Sequence, residues 1–173
     1  MRSGFIIAAV VVAALITPSS AQVPETKCGE WALPSLPDWF TTWLRVNRYG
    51  QTHEIACSSN PFYLRGNFDG TGPLDLAVLV VEKATKKRGV LVVHRPTMNA
   101  YLVGAGTAVG NGGDDFTWLG YFRVEAPPRS PSIAGGPSIP RFVSEVLYVV
   151  KPESASAWIG WNGRQYLWYQ GAN

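Results

Sequence analysis

The sequence predicts a mainly β domain with a minor helical part: an antiparallel meander sheet of about seven strands and one N-terminal helix. Three observations predict it. Short apolar, β-branched runs recur from residue 62 onward, separated by glycine, proline and polar clusters. Only one stretch of the mature chain, near residue 40, carries apolar residues at helical spacing. The dipeptide Asn162-Gly163, between aromatic runs, is the strongest short hairpin signal a sequence can carry. Composition agrees. Of the 173 residues, 46% are hydrophobic and only 16% charged, which excludes a disordered polar chain and a coiled coil. A net charge of +3 is too small and too scattered for a dedicated nucleic-acid binder.

Met1 to Ala21 reads as a secretory signal. Arg2 supplies the positive start, and Phe5 to Ile16 is an apolar run too short to span the roughly 30 Å of a hydrocarbon layer. Pro18 breaks the run, and Ser19 and Ala21 are the small residues that signal cleavage tolerates. Cleavage after Ala21 leaves residues 22–173 as a single β-rich domain, secreted or periplasmic, with no transmembrane segment. An uncleaved anchor is the alternative reading. Cys28 and Cys57 are then an even pair in an oxidising compartment, most simply a disulfide, with two free thiols as the alternative.

Ser35-Leu36-Pro37-Asp38 reads as a helix start, with Ser35 as cap and Asp38 as its acidic partner. Trp39, Phe40, Trp43, Leu44 and Val46 form an apolar stripe, and Gly50 is a natural stop, so the helix is expected over roughly 36–48. Strands are expected over 62–68, 76–81, 89–94, 100–103, 116–124 and 143–150. The run 76–81 is apolar throughout, as in a strand buried on both faces. The stretch 125–140 carries five prolines and reads as an exposed connection. Residues 158–169 close the chain as a hairpin about Asn162-Gly163, pairing Trp161 with Arg164 and Ile159 with Tyr166.

One motif carries chemistry. In Gly66-Asn67-Phe68-Asp69-Gly70-Thr71-Gly72-Pro73-Leu74-Asp75, oxygen donors stand at Asn67, Asp69, Thr71 and Asp75, and the Pro73 carbonyl falls where calcium loops commonly supply one. The glycines allow a tight coil. The segment resembles the calcium loop of FG-GAP/VCBS-type repeats, seen in integrin α-subunit propellers and many bacterial secreted proteins. That resemblance implies a Ca2+ site. Asn67 and Thr71 stand where the family usually has Asp, so the implied affinity is weak, and a turn whose side chains bond their own backbone is the alternative. The wider chain resembles a group of small secreted bacterial proteins of uncharacterised function that carry a single such loop. The stretches that carry this likeness are Tyr101 to Thr107, Gly112 to Phe116 and Lys151 to Ala157. It implies no activity.

Other patterns are weaker. Gly104 to Gly110 lacks the spacing and the following helix of a phosphate loop. Asn111, Asp114 and Asp115 are a second candidate cation cluster, with a solvated turn as the default. His53 and His94 lack metal spacing, and no nucleophile elbow is present. The terminal hairpin places Ile159, Trp161, Tyr166 and Trp168 on one face and Trp158, Leu167 and Tyr169 on the other. One face must be buried, and Trp161, Tyr166 and Trp168 are candidates for a ligand surface, with a sheet covered on both sides as the alternative. The expectation is an extracytoplasmic, non-enzymatic binding or structural module that recognises a protein or an envelope glycan. The alternative is a small secreted hydrolase acting on an extracellular polymer.

Overall fold

The computed structural model describes residues 28–131 and 137–171; the expected signal and its cleavage site lie outside them. The fold is mainly β, but it holds two antiparallel sheets where a single meander was expected. The first sheet contains β1 (His53–Ile55), β2 (Tyr63–Gly66), β3 (Asp75–Glu82), β4 (Arg88–His94) and β5 (Asn99–Gly104). The second contains β6 (Tyr121–Glu125), β7 (Val146–Lys151), β8 (Ala155–Trp161) and β9 (Tyr166–Gln170), in that order.

The reason for two sheets lies in β3 and β4. Successive side chains of a strand point to opposite faces. Leu76, Val78 and Val80 with Leu91 and Val93 make one face; Ala77 and Leu79 with Val90, Val92 and His94 make the other. All of these residues are buried. A sheet that is apolar on both faces must be covered on both. The helices cover the first face, where the Tyr63 hydroxyl donates to the Ser35 carbonyl (2.9 Å) and Tyr49 packs beside His53. The second sheet covers the other, where Tyr101 meets Trp161 at 4.4 Å between ring centroids. One helix on one sheet would have left the His94 face bare.

The helical part is also broken differently from the expectation. It consists of α1 (Ala32–Ser35), α2 (Asp38–Val46) and α3 (Arg48–Thr52). Ser35 is not a cap: its hydroxyl turns back to the Ala32 carbonyl. Leu36 is extended (ψ 151°) because a residue before proline avoids the helical region. Asn47 is the true break, also extended, and its side chain caps α3 by accepting from the Tyr49 N–H. Gly50 lies inside α3 and does not stop a helix; a Cβ there would fall 2.1 Å from the Leu44 carbonyl oxygen.

β1 and β2 lie end to end along the same edge of β3. Leu79 joins them, accepting from the Ala56 N–H and donating to the Phe62 carbonyl. The five intervening residues loop out, and Cys57 in that excursion is bonded to Cys28. The expected disulfide is therefore present, and it ties the lead-in to the sheet edge. The expected strand 116–124 begins only at Tyr121, because residues 116–119 close a turn through the Leu119 N–H to Phe116 carbonyl bond. In the terminal hairpin, Trp161 pairs with Tyr166 and Ile159 with Trp168, a shift of two residues from the expected register. Asn162 takes the position before the turn, where its side chain accepts from the Arg164 and Gln165 N–H groups. Gly163 then stands first of the two central residues with φ 96°, a conformation open to glycine, and the Asn162 N–H closes the connection on the Gln165 carbonyl. A two-residue shift leaves each side chain on its expected face.

Replacing both cysteines by serine removes a cross-link spanning 29 residues and is expected to cost roughly 3–4 kcal/mol. Urea unfolding of the two forms measures this. A difference below about 1 kcal/mol would show that the broken edge strand is held by the Leu79 hydrogen bonds and packing alone.

Candidate functional site

The loop between β2 and β3 is built around Asp75, the first residue of β3. Its carboxylate accepts three backbone N–H bonds: Phe68 (2.9 Å) and Asp69 (3.1 Å) to one oxygen, Arg95 (2.9 Å) to the other. The aspartate thus gathers its own loop and the end of β4 around one charge. Asn67 accepts from the Gly72 N–H (3.3 Å), and Asp69 Oδ1 from both the N–H and the hydroxyl of Thr71. Gly70 has φ 78° and lies against Val143, and the Asn67 N–H donates to Glu145 (2.6 Å). Asn67 and Thr71 stand on the outer side of the loop, while the Asp69 side chain is only 8% exposed and lies between Thr71 and the buried His94. Asp75 is 1% exposed and faces inward. Among the described residues, no three His, Cys, Asp or Glu side chains are arranged to hold a metal ion. A Ca2+ ion takes six to eight oxygens, so water would have to complete any shell on the exposed side.

Inward of the loop lies a polar knot. His94 Nε2 shares a 2.8 Å hydrogen bond with the Tyr166 hydroxyl, and its Nδ1 is 3.9 Å from Asp69 Oδ2. The carboxylate beside Nδ1 favours a proton there, so that the phenol donates to Nε2. Tyr101 and Trp161 close around the imidazole at 4.7 and 5.0 Å. Burial pushes the Tyr166 phenol well above its ordinary pKa. Burial also lowers the His94 pKa against the pull of Asp75 and Asp69, and it raises that of Asp75 against its amide partners. The knot joins β4 to β9, and its groups are buried, with His94 3% exposed. It is chemistry arranged for holding two sheets together. Trp161 and Tyr166, expected at a ligand surface, are each 8% exposed and belong to this interior.

Trp168 has a different place. Down the inner face of the second sheet the side chains change from Leu147 and Val149 to Lys151, and from Ile159 to Ala157 and Ala155. Toward the β7–β8 turn the filling shrinks and the space between layers opens. The result is a cleft of about 270 Å3 walled by Trp118 and Trp168, whose rings stand 6.0 Å apart at 82°. Each indole is fixed. Trp168 Nε1 donates to Gln170 (3.1 Å), whose amide donates to the Ser156 carbonyl (3.0 Å). Trp118 Nε1 donates to the Gly112 carbonyl (3.1 Å). The 3-10 turn Gly110–Gly112 lies along Trp168 so closely that a Cβ on Gly112 would come within 2.5 Å of the ring. Asn111, Lys151 and Ser154 stand at the rim. Trp118 was not expected here. Its only sequence signal is an aromatic residue a few positions beyond a glycine-rich loop.

The second candidate cation cluster is divided among other duties. Asp114 pairs with Lys87, Asp115 accepts from the Arg88 and Thr117 N–H groups, and Asn111 stands at the cleft. On the helical side, His53 Nδ1 bonds Thr52 Oγ1 (2.8 Å), while its Nε2 faces the Ala105 backbone without completing a hydrogen bond. Burial lowers its pKa too. Comparison of the chain with protein-family models, with curated proteins and with solved structures gives no match.

Two outcomes are expected. Tyr166→Phe leaves His94 Nε2 without its partner and should cost about 1–3 kcal/mol in urea unfolding. Both histidines have folded pKa values below the ordinary 6.5, so the unfolded chain binds their protons first. Their contribution is complete above that value and drains away as pH falls below it. The melting temperature should drop between pH 7.5 and 5.5, less in His94→Gln and least in the double His53→Gln, His94→Gln variant. An equal drop in all three forms would assign acid sensitivity elsewhere.

Proposed function

We propose that the protein is an extracytoplasmic, non-enzymatic binding module of the kind its single FG-GAP-like loop suggests. The observation that carries this reading is the cleft at the open end of the inter-sheet space, where two rigidly held indoles face a polar rim. Preformed clefts lined by aromatic rings and a few polar groups are ordinary ligand sites. The titratable groups best suited to acid–base work support it from the other side, because His94, Tyr166 and Asp75 are committed to one another or to backbone amides inside the molecule. The Cys28–Cys57 disulfide is compatible with export, and among the described residues no helix is long and apolar enough to cross a membrane.

The test is co-sedimentation with insoluble envelope polysaccharide, read together with the release of new reducing ends. The protein should sediment, Trp168→Ala should stay in the supernatant, and no reducing ends should appear. Steady release of reducing ends would replace this reading with the secreted hydrolase.

The loop is proposed as a weak Ca2+ site. Asn67, Thr71 and the Pro73 carbonyl would hold the ion from the exposed side and Asp69 from its buried side, through the oxygen that now accepts from Thr71, with Asp75 shaping the loop from within. The ion would stiffen the entry to β3. At ten times the dissociation constant the gain is about 1.4 kcal/mol, or roughly 3–5 °C in melting temperature for a domain of this size. Melts in Ca2+ and in EDTA should differ by that amount, and Asp69→Ala should erase the difference. Identical melts for the wild type and for Asn67→Asp, Thr71→Asp would leave the loop as a turn only.

A further inference from the structure

The two indoles of the cleft have no hydrogen-bonding capacity left for a ligand, because each Nε1–H is already bonded within the protein, to Gln170 and to the Gly112 carbonyl. They offer ring surface alone, and they meet nearly at right angles. Such a corner suits a flat, rigid group with one weakly polar face, since the negative π-cloud attracts polarised C–H bonds. The rim offers the opposite chemistry. Asn111, Ser154 and Lys151 are exposed there, and an aliphatic or aromatic peptide side chain entering the cleft would desolvate them without replacing their hydrogen bonds. A ligand that is apolar on one face and hydroxylated around its periphery satisfies both surfaces. Charge narrows the choice further. Lys151 carries no ion pair among the described residues, and no carboxylate lines the cleft. An anionic group on the ligand would make a charge-assisted hydrogen bond there. At about 270 Å3, the space lies just below the roughly 300–1,000 Å3 of drug-sized pockets, enough for one ring.

We propose that the Trp118–Trp168 cleft is a saccharide subsite that takes one sugar ring bearing a carboxylate, with the ring against the indoles and the carboxylate on Lys151. This rests on the binding-module reading and names its ligand class. Gln170 and the Gly110–Gly112 turn are positioning elements, because they fix the Trp168 ring and leave the ligand to the cleft walls.

Tryptophan fluorescence and calorimetric titrations test it with trigalacturonate, trimannuronate, sialyllactose and N-acetylmuramic acid, each beside its methyl ester. At least one acid should bind and change the fluorescence, with its ester about tenfold weaker, as one charge-assisted hydrogen bond implies. Lys151→Gln, at an exposed site, should leave folding intact and bring acid and ester to equal affinity. Trp168→Ala and Trp118→Phe, verified as folded by circular dichroism, should weaken both forms alike. Absence of binding to every acid at millimolar concentration would overturn the proposal, as would equal binding of acid and ester in the wild type. Co-sedimentation with polysaccharide that survives while every acid fails would remove the subsite and leave the binding module standing; release of reducing ends would remove the module itself.

Discussion

The central strands β3 and β4 are apolar on both faces, and this constraint organises the molecule around them. Leaving either face to water would expose a row of Val and Leu side chains, each contributing about 1.5–3 kcal/mol when buried. The chain meets the constraint with unlike layers. Short helices carrying Phe40, Trp43 and Tyr49 cover one face, and the four-stranded second sheet covers the other. The interior is continuous through both layers, from Ala32 and Phe40 to Ile159 and Trp161. The broken edge strand β1–β2 and its disulfide answer the same demand, since the covering helices must be tethered to the sheet they cover.

Two flat apolar layers would pack in many registers, and polar groups select one. Asp75 stands where β3 begins and binds backbone N–H groups of its own loop and of Arg95 beyond β4. His94, at the end of β4, then reaches across to Tyr166 of β9. A buried carboxylate, imidazole and phenol are costly unless each finds partners, so the arrangement that satisfies them excludes its neighbours. The loop 67–75 takes part in that register, with Asp69 beside His94 and the Asn67 N–H bonded to Glu145, just before β7.

The cleft is the other end of the same construction. Where His94 and Tyr166 close the inter-sheet space, large rings fill it. Toward Lys151 the inner face carries alanines, and the space opens into a cleft lined by the edge-to-face pair Trp118 and Trp168. Closed end and open end are made by one sheet whose inner side chains shrink along the strands. The aromatic set is thus divided by position: Trp161 and Tyr166 hold the layers together, and Trp168 faces the cleft.

Local chemistry was legible in the sequence wherever neighbours in the chain determine the outcome. The predominance of β structure, the doubly buried run 76–81, the Cys28–Cys57 pair and the division of the last hairpin's side chains between two faces all come from residue type and period. The loop 67–75 was legible as a tight turn whose side chains can bond their own backbone, as Asn67, Asp69 and Asp75 do, but the inward aim of Asp75 depends also on Arg95, twenty residues away. Asn47 breaks the helix because its side chain caps α3, and Gly50 is held inside α3 against the Leu44 carbonyl instead of ending a helix. Long-range placement was not legible. Nothing near His94 announces Tyr166, 72 residues later, and nothing near Trp118 announces Trp168. Residue type and spacing determined most of the strand segments and their apolar faces, though not the short edge strand β1 or the turn at 116–119. Only the tertiary structure decided that those faces meet as two sheets, because the pairing of distant layers depends on covering both sides of β3 and β4 at once, and no local pattern records the layer on the far side.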